Sequence, residues 1–148
     1  MTTDTIAGEK DIKASEGRLV ATEAYEGPFD TRVVSYREWS TGTRLINLEG
    51  KEIINPQESR GIKIAFSNNF KTGVHKVPQD AFPVFAELTY FRDVGDRRTQ
   101  FAANRGSFEL VTYDREKASA SGTFDFVAVV DGAEHSFKGH FSIRYVQE

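Results

Sequence analysis

Residues 106–146 constrain this chain most, because three successive segments there alternate apolar and polar side chains. They read Gly106-Ser-Phe-Glu-Leu-Val-Thr-Tyr113, Gly122-Thr-Phe-Asp-Phe-Val-Ala-Val-Val130 and Phe137-Lys-Gly-His-Phe-Ser-Ile-Arg-Tyr-Val146, with turn residues between them. In an extended strand every second side chain shares a face. One side therefore carries Phe108, Leu110, Phe124, Phe126, Ala128, Val130, Phe137, Gly139, Phe141, Ile143 and Tyr145, and the other carries Glu109, Asp125, Lys138, His140 and Arg144. One apolar and one wet face is the signature of an antiparallel sheet. Burying a Phe contributes roughly 1.5–3 kcal/mol, so Phe126→Asp is expected to abolish the cooperative fold.

The rest of the chain follows the same period. Strands are expected over residues 18–24, 29–39, 62–66, 84–92 and 97–103, and residues 44–48 and 51–55 flank Glu49-Gly50 as a hairpin. No segment sustains a period near 3.6. With 148 residues, twelve Phe, five Tyr and one Trp, the composition suits one Phe-rich β domain. The expected fold class is all-β: a single antiparallel β-barrel or curved β-sandwich of about nine or ten strands, with at most one short helical turn at residues 78–82. Residues 1–16 are polar and read as a flexible N-terminal arm, leaving residues 17–148 as the single β domain.

The segments Gly106-Ser-Phe, Ala120-Ser-Gly-Thr-Phe and Gly139-His-Phe-Ser-Ile also carry a family likeness. The last third of the chain resembles a loose group of uncharacterised bacterial β-domains, often lipoproteins. In those, a Gly-Thr-Phe-x-Phe strand precedes a final Gly-x-Phe strand. The resemblance implies a β-sandwich or barrel and carries over no active site. This chain has none of the cysteine that anchors such lipoproteins.

Absence of cysteine removes disulfides, zinc thiolates and thiol nucleophiles from consideration. A net charge of −3, with 19 basic and 22 acidic residues dispersed along the chain, argues against nucleic acid as a partner. Phosphate-binding, zinc-protease and hydrolase signatures are missing, and no cofactor is expected. His135 and His140 stand five apart and would face opposite ways on one strand, so no metal site is expected. Asp93 and Asp96 read as turn residues rather than an acid pair, and Arg97-Arg98 as a solvated strand end. The longest apolar run, residues 126–130, is too short to span a membrane. The N-terminus has neither the basic start nor the apolar core of a signal peptide, and a cytoplasmic protein is the expectation.

Function is sought in residues 67–83, the longest stretch without a period, which carries Phe70, Lys71, His75, Lys76 and Phe82. Tyr36 and Trp39, near the end of a strand, are expected to border the same end of the domain. The candidate ligand-binding residues are therefore Tyr36, Trp39, Phe70, His75 and Phe82, with no catalytic residues assigned. The plainer reading makes Phe70 and Phe82 plugs over the core and Trp39 a rim residue. Three function classes follow. The first is a non-enzymatic module holding a small apolar or sugar-like molecule in a barrel mouth walled by Tyr36, Trp39 and residues 67–83; an interior filled by Phe side chains would end that reading. The second is a self-associating or partner-binding protein, for which a homo-oligomer is the expected form. The third is an enzyme with a dispersed polar site near His75.

Overall fold

The computed structural model describes residues 15–39, 44–79 and 85–146. Among the described residues every regular element is a strand. In chain order these are β1 (Ser15–Glu23), β2 (Phe29–Thr31), β3 (Val34–Glu38), β4 (Leu45–Asn55), β5 (Glu58–Ser67), β6 (Gly73–Val77), β7 (Ala86–Val94), β8 (Arg97–Ala102), β9 (Arg105–Asp114), β10 (Ser119–Val130) and β11 (Ala133–Tyr145). They form a six-stranded sheet, ordered β2-β1-β11-β10-β9-β6, and a five-stranded sheet, ordered β3-β4-β5-β7-β8. All pairings are antiparallel. The sheets do not close on each other, so the fold is a curved sandwich and not a barrel. No helix among the described residues is long and apolar enough to cross a membrane.

Several boundaries differ from the sequence reading, each for a physical reason. Residues 29–39 are two strands in different sheets, not one. The crossing between them is held by the Thr31 hydroxyl, which donates to the Lys51 carbonyl at 2.6 Å and accepts from the Val33 N–H at 3.0 Å. Glu49-Gly50 is no hairpin turn: β4 runs through it, and the turn comes at Pro56-Gln57. Gly50 is there because Leu19 of the other sheet presses on it, and a Cβ would stand 2.5 Å from the Leu19 Cβ. Residues 67–83 are not continuously irregular, since β6 lies inside them and pairs with β9. β1 begins at Ser15, two residues inside the expected arm; residues 1–14 lie outside the described residues, as do residues 80–84 and hence most of the expected helical turn.

The faces of the last three strands are as their alternation predicts. Phe108, Leu110, Phe124, Phe126, Phe137, Phe141 and Ile143 are buried, and Glu109, Asp125, Lys138, His140 and Arg144 are exposed. The sheets meet through aromatic rings. Tyr90 packs on Phe137 with centroids 4.9 Å apart and Phe66 meets Phe108 at 5.7 Å, while Phe126 stacks on Phe137 at 4.9 Å within the six-stranded sheet. The Gly-x-Phe echo has a steric cause. Gly122 pairs with Phe141 and Phe124 with Gly139, so each ring lies over the other strand's glycine. A Cβ on Gly139 would stand 2.7 Å from the Phe124 ring and 1.9 Å from the Val20 carbonyl oxygen.

One aromatic breaks the inward rule. Phe91 of β7 points to the outer face of the five-stranded sheet yet is fully buried. It lies across Gly61, its partner on β5, where a Cβ would come within 2.5 Å of its ring. Arg98 covers it, with the guanidinium carbon 3.8 Å from the ring centroid. The same guanidinium reaches Asp93 at 2.8 and 3.0 Å and Glu49 at 2.8 and 3.3 Å. Arg98 is thus an exposed strand-end residue that also acts as a strap from β8 over β7 and β5 to β4, a role the sequence reading did not assign it.

Candidate functional site

The interior of the sandwich is packed with Tyr90, Phe66, Phe108, Phe126 and Phe137, each less than 2% exposed. Among the described residues these rings occupy the space between the sheets, where the sequence reading set a barrel mouth. The candidate site is instead a surface hollow of about 350 Å³ at one end of the sandwich, lined by Tyr36, Arg37, Glu38, Trp39, Ala118 and Tyr145.

The hollow arises where the two sheets meet at a corner. β3 is an edge strand, and its free side faces the end of β11 and the start of β1. Ser15 bridges the gap, its hydroxyl accepting from the Tyr36 N–H at 2.9 Å. Tyr145 is the last residue of the β11 alternation, and its N–H donates to the Ala118 carbonyl at 2.9 Å. That bond folds the turn before β10 against the strand end and forms the far wall. Ala118 adopts φ 52, a left-handed turn conformation in which its small side chain is tolerated. Trp39, 50% exposed, forms the near wall; its backbone N–H donates to the Leu45 carbonyl at 2.8 Å. Tyr36 is buried, with its hydroxyl covered and unpaired among the described residues. Burial pushes its phenol well above the ordinary tyrosine range.

A polar brace supports the floor. Arg115 donates through Nε and Nη2 to the Glu38 carboxylate at 2.9 and 2.7 Å, and Asn68 Nδ2 donates to the same oxygen at 3.0 Å. The Arg115 hydrogen bond, with help from Asn68, holds the Glu38 carboxyl below its ordinary value. Tyr113 donates to the Asn68 carbonyl at 2.7 Å, and burial pushes its phenol up to about 12. Two strands, β3 and β9, and the two turns that carry Asn68 and Arg115 thereby fix the geometry of Glu38 and its neighbour Trp39.

Of the five residues expected to bind, Tyr36 and Trp39 line the hollow together. Phe70 and His75 do not. They stack on each other at 4.4 Å beside Phe66 and Phe108, and the His75 Nε2 lies 2.7 Å from the Lys71 carbonyl. Phe70 packs against that corner of the core. Phe82 lies outside the described residues. Arg37, Glu38, Ala118 and Tyr145 were not singled out by sequence. The one signal for Tyr145 was its place as the last inward aromatic of a strand; Ala118 carried none. The histidines are apart, with His135 against Tyr25 at 4.4 Å and His140 on the wet face. No three metal-ligating side chains gather among the described residues. A scan against protein-family models finds no match, and neither do searches of the curated proteins and of the solved structures, so the reading of this site rests on its own geometry.

Proposed function

We propose that the protein is a non-enzymatic binding module for a small molecule with a flat apolar face, held in the Tyr36–Trp39–Tyr145 hollow. The observation that carries this reading is Trp39. A half-exposed indole beside two tyrosines, at the rim of a concave space braced by Glu38, Arg115 and Asn68, is the arrangement that stacks a ring or the apolar face of a sugar. Catalysis has less support, because among the described residues that line the hollow no activated nucleophile and base stand together.

The chain has one tryptophan, so indole fluorescence reports on this site alone. Titration with a panel of small aromatic compounds and monosaccharides is expected to shift Trp39 emission for at least one class. Trp39→Ala is expected to weaken that binding at least tenfold while leaving the melting temperature nearly unchanged, since the side chain is half in solvent. A panel that leaves the emission of Trp39 unmoved would remove the reading.

A further inference from the structure

Arg37 is shared between the hollow and a neighbouring space. That residue also lines a second depression, about 240 Å³, on the outer face of β3 and β4, with Ser35, Asn47, Glu49, Lys51 and Arg98. Strand alternation explains the arrangement: Tyr36 turns inward and Ser35 and Arg37 turn outward. The groups in this groove are nearly all donors. Its one carboxylate, Glu49, is taken up by Arg98 at 2.8 and 3.3 Å. Lys51 stands 3.3 Å from Asp93, which Arg98 also holds. Among the described residues the Arg37 guanidinium, the Ser35 hydroxyl and the Asn47 amide nitrogen have no hydrogen-bond partner, while Asn47 Oδ1 is turned under the surface. Three cations, Arg37, Lys51 and Arg98, stand against two carboxylates, Glu49 and Asp93. The groove is thus locally positive on a chain of net charge −3.

We infer that the ligand of the aromatic hollow is an oxyanion, a carboxylate or phosphate carried on an apolar ring, with the ring against Trp39 and the oxyanion on Arg37, Ser35 and Asn47. This inference rests on the hollow being a binding site. A guanidinium offers two parallel N–H groups to a carboxylate or phosphate, and an adjacent hydroxyl and amide complete its donor set. The Arg98 strap keeps Glu49 occupied, so it does not repel the incoming charge.

The test uses ¹⁵N-labelled full-length protein and follows the single tryptophan indole N–H signal by NMR. Three probes share one ring: benzyl alcohol, phenylacetate and benzylphosphonate. Phenylacetate or benzylphosphonate is expected to bind roughly tenfold more tightly than benzyl alcohol, as one partly exposed charge-assisted contact would give. The preferred anion identifies carboxylate or phosphate as the source. Arg37→Gln is expected to collapse the difference to near unity without weakening benzyl alcohol. Arg97→Gln, which removes an equal charge away from the groove, is expected to preserve it. Equal binding of all three probes overturns the inference and leaves the binding module standing. A preference that survives Arg37→Gln, or that Arg97→Gln removes as well, also overturns it. Failure of all three probes to move the indole signal counts against both readings.

Discussion

At the scale of single residues, the sandwich is decided by which side chains are missing as much as by which are present. Gly139 must lack a Cβ because the Val20 carbonyl oxygen occupies the place, 1.9 Å from where it would stand. Gly139→Ala is expected to cost about 3 kcal/mol, the upper end for overpacking, because the obstructing atom is backbone and cannot turn aside. Phe126→Ala leaves a cavity under Phe137 and is expected to cost about 3–5 kcal/mol. Urea denaturation of both variants checks these values. The inward positions of β9, β10 and β11 were legible in sequence because burial of one face writes a period of two. Phe91 was not, because an aromatic on the outer face is stable only opposite Gly61, and that partnership exists only once β5 and β7 are paired. Ala118 was illegible for a similar reason, its role coming from a hydrogen bond to Tyr145.

At the scale of elements, the five-stranded sheet is tied from outside by Arg98. Arg98→Ala removes the cover from Phe91 and both carboxylate contacts, and is expected to cost about 1 kcal/mol, a figure discounted because the guanidinium is partly in solvent. The effect is pH-dependent. Arg98, and then Lys51, hold the Asp93 carboxyl below its ordinary 3.8. A carboxyl depressed in the folded state stabilises fully above its unfolded pKa, and that contribution is lost as pH falls through the folded value. The gap between wild type and Arg98→Ala is therefore expected to be full near neutrality and to shrink as pH drops below 3.8, which denaturation at two pH values would read. Elements were misread where a change of sheet leaves no turn signal. The buried positions of residues 29–39 shift parity at the crossing, from Phe29 and Thr31 to Tyr36, but no glycine or proline there marks the break. β6 escaped notice for the opposite reason: as an edge strand it exposes Val74 and half-buries His75, so no apolar rhythm appears.

At the scale of the whole molecule, the choice of sandwich over barrel was beyond the sequence, because it depends on β6 joining β9 across an intervening excursion to the other sheet. The buried phenols make a prediction for the entire fold. Tyr36, Tyr90 and Tyr113 are all raised above the ordinary 10.0, chiefly by burial, Tyr113 to about 12. The folded state then holds its protons more tightly than the unfolded chain, so this contribution is complete below pH 10 and lost as pH rises through the folded values. Thermal melts are expected to fall progressively above pH 10, with phenolate absorbance of these tyrosines appearing together with unfolding and not before it. The paired Gly-x-Phe segments of β10 and β11 bear on assembly as well. Two similar sequences side by side invite misalignment. Sliding β11 two residues one way would set Gly122 against Gly139 and leave an empty space where a ring belongs. Sliding it two residues the other way would set Phe124 against Phe141, two rings in room for one. The echo therefore works as a key with one fit: it forbids the slips its own repetition would otherwise allow, whether the second strand comes from the same molecule or from a neighbour.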